Sequence, residues 1–167
     1  MVEMELVGVR LELPANTPIV LLREQSGRRR VLPIYIGGPE AAAIAYAMEG
    51  VQSPRPLTHD LFKNVLDELG VRLARIVVTD MREHTYYAEL HLDRAGNTSV
   101  VSSRPSDSIA LAVRTGSPIF ADDGLLDEYG QVEAEEEPEP PEEQQEEILE
   151  EFRDFIENVN PEDFDRS

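Results

Sequence analysis

Arg104-Pro105-Ser106-Asp107-Ser108-Ile109-Ala110-Leu111-Ala112-Val113-Arg114 reads as the start and body of one short helix. Proline restricts the residue before it and fits a helix's first turn. Ser106, Asp107 and Ser108 follow with short side-chain oxygens that can accept from the orphan N–H groups of a helix start. Ile109, Ala112, Val113 and Gly116 then recur on one helical face. Leu111 lies off that face, so the helix is expected to be buried nearly all round. A buried helix with Arg104, Ser106 and Asp107 in its first turn is either a capped core element or a rigid mount for chemistry.

Upstream, the chain has the pattern of a second such unit. Residues 2–13, 19–23 and 30–36 read as strands, with a bulge expected near Leu6-Val7-Gly8 and a hairpin turn at Gln25-Ser26-Gly27-Arg28. Gly37-Gly38-Pro39-Glu40 opens an alanine-rich helix ending at Gly50. After a loop with two prolines, Thr58 is the expected N-cap of a helix through Leu69. Leu61, Phe62, Val65, Leu66 and Leu69 give that helix one apolar face. Residues 71–79 are a strand, and Tyr86, Ala88, Leu90 and Leu92 alternate with polar residues as a half-buried one. Residues 98–102 complete the trio before the Arg104 helix, with a short strand at 117–120 and a short helix at 122–129 beyond it. The strand-strand-strand-helix order thus occurs twice, an internal duplication. It predicts an α+β fold with a mixed, mostly antiparallel sheet and helices packed on it.

The charge is uneven. Residues 131–167 carry 16 acidic residues against two arginines, so most of the net charge of −19 belongs to the tail and residues 1–130 hold only −5. Three parts follow: an α+β domain over 1–130, an acidic linker over 131–147 with nine Glu and three Pro, and an amphipathic tail helix and terminus over 148–167. In the tail, Leu149, Phe152, Ile156 and Val159 share a face. It docks either on its own domain or twin subunit, or on another protein through residues 148–164. With no cysteine, disulfides and Cys-ligated zinc are excluded, and no apolar run is long enough to span a membrane. A cytoplasmic location is expected.

No strong catalytic motif is present: no Walker loop, no HExxH, no nucleophile elbow. Gly37-Gly38 before a helix suits either a tight turn or a backbone anion site. Arg28-Arg29-Arg30 suits either phosphate contact or protection of an edge strand. His91 is expected on a solvated sheet face with Glu89 and Asp93. The stronger constellation is polar residues at three helix starts: Glu40; Arg55 with Thr58, His59 and Asp60; and Arg104 with Ser106 and Asp107. Capping and the helix dipole would account for the acids. If the helix starts converge, however, three carboxylates and an imidazole suit Mg²⁺ or Mn²⁺, and the arginines suit phosphate.

Those same stretches carry a resemblance. Leu32-Pro33-Ile34-Tyr35-Ile36-Gly37 with Glu40-Ala41, Arg55-Pro56-Leu57-Thr58-His59-Asp60-Leu61, and the Arg104–Ala112 run resemble the bacterial bifunctional nuclease family in order and spacing across roughly residues 2–128. The acidic tail looks like that of actinobacterial members. The resemblance implies a compact α+β domain, assembly as an oligomer of at least two copies, and activity on both DNA and RNA. The expectation is a divalent-metal-dependent nuclease. Glu40, His59, Asp60 and Asp107 would activate water or bind metal, with Glu40, Asp60 and Asp107 as the ligands, while Arg55, Arg104 and Ser106 would hold phosphate. The alternative is a non-catalytic oligomeric scaffold whose tail helix recruits a protein. A third, small-anion sensing at Gly37-Gly38, is the weakest.

Overall fold

The computed structural model describes residues 1–132, which form one compact unit. The tail helix and all but the first two residues of the expected linker lie outside the described residues. Gln131 and Val132 are already paired with Val31 and Arg30, covering the first two residues of the β3 edge.

Eight strands and four helices follow one another as β1 (Val2–Glu12), β2 (Thr17–Glu24), β3 (Arg30–Tyr35), α1 (Gly38–Met48), α2 (Thr58–Glu68), β4 (Arg72–Arg82), β5 (Thr85–Arg94), β6 (Asn97–Ser103), α3 (Pro105–Thr115), β7 (Ile119–Ala121), α4 (Asp123–Tyr129) and β8 (Gln131–Val132). The fold is α+β, and β1-β2-β3-α1 and β4-β5-β6-α3 repeat one order. The strands form a single sheet in the order β6-β5-β4-β7-β1-β2-β3-β8. All neighbours are antiparallel except β4 and β7. The two meanders therefore lie back to back, with the three-residue β7 between them. The expected bulge in β1 is a register shift between Leu6 and Gly8.

Alternation along the strands decides which side is covered. Val20, Leu22, Leu32, Ile34, Ile76, Val78 and Leu90 are buried and form one core with Ile44 of α1 and Ile109 to Ala112 of α3. Burying a side chain such as Ile109 is worth about 2–3 kcal/mol over leaving it exposed. The consecutive burial of Ile109, Ala110, Leu111 and Ala112 places α3 inside the molecule, as its sequence predicts. Gly116 ends it with φ +65°, a left-handed conformation that glycine adopts without strain.

Helix α2 departs from expectation. Its N-cap is Leu57, not Thr58, and Asp60 receives the Leu57 N–H at 3.0 Å. Only Leu66 of its apolar face is buried, while Leu61, Phe62, Val65 and Leu69 are exposed. Amphipathic spacing announces a face but not what covers it. No helix among the described residues is long and apolar enough to cross a membrane.

The arginine run at 28–30 splits. Arg28 pairs with Asp127 at 3.1 Å and Arg29 with Glu5 at 3.8 Å at the surface. Arg30 turns inward onto Glu24, which is 3% exposed: Nη2 donates to Oε1 at 2.7 Å, and Nε and the backbone N–H donate to Oε2 at 3.1 and 2.8 Å. Arg30 also reaches Asp127 at 2.6 Å, tying the β2–β3 hairpin to α4. Arg30's hydrogen bond holds the Glu24 carboxyl below its ordinary value of 4.5, against burial, which pushes it up.

A carboxyl whose pKa is lowered by folding stabilises above its unfolded pKa and loses that stability as pH falls through the folded one. Glu24→Ala should cost about 3 kcal/mol at pH 7, because Arg30 is left buried without its main partner. Urea unfolding at pH 7 and pH 3 should show a smaller acid-induced loss in the variant than in the wild type. Equal acid losses in the two proteins would mean the pair contributes nothing.

Candidate functional site

Three helices begin at one place. Each carries its acid at the same position, the third residue: Glu40 in α1, Asp60 in α2, Asp107 in α3. If these acids only capped, each would accept a nearby backbone N–H, and only Asp60 does. Arg104, not a serine or Asp107, is the N-cap residue of α3, and no side chain caps that helix. Asp107 is thereby left to bind other side chains.

Asp107 is the centre of the cluster. His59 Nε2 lies 2.9 Å from its Oδ1. Arg104 Nε donates to its Oδ2 at 2.7 Å and Nη2 to its Oδ1 at 3.1 Å. The same Nη2 donates to Glu40 Oε1 at 2.9 Å, so one guanidinium joins the starts of α1 and α3. Burial pushes the Asp107 carboxyl up, but bonds from Arg104 and His59 outweigh it and hold it below its usual range. Asp107 is therefore an acceptor-only carboxylate, so His59 Nε2 is the donor in their hydrogen bond, and Nδ1 has no protein partner among the described residues. All three Arg104 bonds run through Nε and Nη2. Nη1 has no protein partner among the described residues, although the side chain is 65% exposed.

These groups line a cleft of about 530 Å³ walled by Pro39, Tyr46, Leu57 and Thr58. The positive ends of the three helix dipoles converge there, an electrostatic setting that favours an anion. Gly37 allows part of this geometry: a β-carbon there would lie 2.2 Å from a Glu40 carboxylate oxygen.

The remaining sequence-derived candidates are elsewhere. Asp60 receives Arg114 Nε at 2.7 Å, and that bond holds its carboxyl below the usual range. Arg114, 7% exposed, also donates through Nη1 to the carbonyls of Ala43 and Ala110 at 3.0 and 2.9 Å, so it binds α1, α2 and α3 together. The sequence reading gave Arg114 no role; its only signal is a charged residue ending an apolar helix run. Arg55 lies on the exposed loop before α2, outside the cleft lining and without a bond among the described residues. Ser106 is buried beneath a second cleft on the other side of Arg104. Among the described residues no three His, Cys, Asp or Glu side chains are grouped as metal ligands. The set Glu40, Asp60 and Asp107 does not form a ready-made metal site, since Arg104 takes two of these carboxylates and Arg114 the third.

A family profile described as the bifunctional nuclease domain matches residues 20–134. An uncharacterized protein of Mycobacterium tuberculosis is 44% identical over 163 residues, 97% of each chain. Bifunctional nuclease 1 of Arabidopsis thaliana is 33% identical over 108 residues, covering 63% of this chain and 33% of that one. Bifunctional nuclease 2 of the same plant is 33% identical over 112 residues, 64% of this chain and 34% of the plant protein. The chain thus spans about a third of the length of these plant proteins.

The two arginines should behave differently. Arg114→Leu removes the buried guanidinium that joins Asp60 to the Ala43 and Ala110 carbonyls and should lower stability by about 2–3 kcal/mol in urea unfolding. Arg104→Leu should cost less, because the Arg104 side chain is itself 65% exposed. Equal losses would contradict the division into a structural clamp and an exposed site residue.

Proposed function

Since the chain belongs to the bifunctional nuclease domain family, we propose that it hydrolyses phosphodiester bonds of DNA or RNA in the cleft where α1, α2 and α3 begin. The observation that carries this reading is Asp107 joining His59 to Arg104. Such a carboxylate orients an imidazole as a general base while holding a guanidinium beside it. Arg104 holds a non-bridging phosphate oxygen through Nη1. His59 Nδ1 takes a proton from a water molecule as that water's oxygen bonds to phosphorus. The bond to the leaving oxygen breaks, and that oxygen is protonated by the imidazolium or by solvent. Arg55 and Ser106 remain candidates for further phosphate contacts. No step here needs the expected Mg²⁺ or Mn²⁺, which would have to complete its shell with water and substrate phosphate around Glu40 and Asp107.

The test is cleavage of single- and double-stranded DNA and RNA with Mg²⁺, Mn²⁺ or EDTA, by the folded wild type and by His59→Asn and Asp107→Asn. Loss of a general base predicts a fall of about 10²-fold or more in both variants. Absence of cleavage by folded wild type, or unchanged cleavage by both variants, would overturn the reading.

The exposed face of α2 supports a second role, self-association as an oligomeric scaffold. Leu61 and Leu69 lie four residues either side of Val65, so an antiparallel copy meets the ridge with itself and sets Lys63 against the copy's Asp67. Val65→Glu should then halve the mass measured by light scattering at micromolar concentration. A single unchanged mass in both proteins would remove α2 as the interface.

A further inference from the structure

The cleft on the other side of Arg104 contains neither His59 nor Asp107. It encloses about 610 Å³, the size of a small-ligand site. Its walls are Tyr35 at the end of β3, Tyr86 at the start of β5, Tyr129 at the end of α4 and His84 in the β4–β5 turn, with Met81 beneath. Three of the chain's five tyrosines are gathered here. Arg104 lines both this cleft and the first one.

The tyrosine geometry suits a planar guest. Tyr86 and Tyr129 meet edge to face, with centroids 6.3 Å apart and ring planes at 76°. The ring that offers its edge in such a pair has neither of its faces covered by its partner. Tyr35 is 58% exposed, yet its hydroxyl donates to Glu12 at 2.5 Å, so the ring is held while its surface stays open. An exposed aromatic beside a phosphate-binding arginine is the arrangement that takes a base and its phosphate together.

Charge supports the same guest. Residues 1–130 carry −5, and the one arginine run among the described residues, Arg28, Arg29 and Arg30, is paired with acids and so is not a free basic patch for a long phosphate backbone. Affinity for a nucleic acid must then come from a local contact that does not rely on many phosphates.

We propose that the Tyr35–Tyr86–Tyr129 cleft binds one unpaired nucleobase, stacked on Tyr35, of the nucleotide whose phosphate Arg104 holds. The protein is thereby selective for single strands. The proposal rests on the nuclease reading for the phosphate at Arg104. A base inside a duplex is paired and stacked on both faces, so it reaches this cleft only after extrusion. Stacking is indifferent to the sugar and tolerant of sequence, which accommodates DNA and RNA alike.

Binding, not cleavage, tests it, in EDTA and by calorimetry on the full chain. Adenosine 5′-monophosphate should bind about ten-fold tighter than ribose 5-phosphate, and a (dT)₆ strand tighter than a six-base-pair duplex. Tyr35→Ala should remove that ten-fold preference, Tyr35→Phe should restore it, and Arg104→Leu should weaken both monophosphates. The preference should also vanish in a folded Tyr35→Ala/Tyr86→Leu protein. Equal binding of the two monophosphates, a preference that survives in both alanine-bearing variants, or no binding of adenosine 5′-monophosphate or (dT)₆ would overturn the proposal. Base-dependent binding without hydrolysis would leave this cleft standing and remove the nuclease; hydrolysis with base-indifferent binding would do the reverse.

Discussion

The guanidinium of Arg114 holds the starts of α1, α2 and α3 in position. It is almost fully buried, yet each of its bonds goes to a different helix: Asp60 in α2, the Ala43 carbonyl in α1, and the Ala110 carbonyl of its own α3. A planar group with donors fixed in a fork sets angles as well as distances. The starts of these helices are where Glu40, His59 and Asp107 project, so their mutual placement is inherited from this buried joint. Apolar packing of α1 and α3 on the sheet supplies most of the stabilisation but would tolerate small sliding. The Arg114 bonds restrict it.

The arginines at the two ends of α3 divide the work. Arg114 lies inside and its partners are fully engaged. Arg104 lies at the surface, binds Glu40 and Asp107, and keeps one nitrogen unengaged between two clefts. An exposed arginine held by two carboxylates has lost much of its rotamer freedom before any ligand arrives, so less entropy is lost when it binds. The same carboxylates lower the net positive charge it offers.

Much of this was legible from the amino acids. Strand alternation at Tyr86, Ala88, Leu90 and Leu92 and the Pro-marked helix starts gave the element order, because periodicity and proline chemistry act locally. Glu40, His59, Arg104 and Asp107 stood out because polar residues at helix starts are informative whichever role they take. Asp60 was grouped with them on the same grounds, and its partner, 54 residues away, has no local signature. The insertion of β7 and the exposure of α2 depend on what covers an edge or a face, which spacing alone does not encode. The tyrosine cleft escaped notice for a related reason: Tyr35, Tyr86 and Tyr129 are distant in sequence, and each looks like an ordinary strand or helix end.

The placement of β7 also orders the way this chain must be made. β1 and β4, the inner strands of the two meanders, touch no common partner until Ile119–Ala121 slides between them. On the ribosome both meanders can form early, since each is built from neighbouring hairpins of low contact order. Each then carries an unpaired inner edge, the kind of surface that pairs with other chains. Three residues made after both meanders join the two halves, covering Val2 to Met4 of one inner edge and Ile76 to Val78 of the other. The shortest strand but one in the sheet thus determines when the nascent protein stops being two sticky fragments and becomes one molecule.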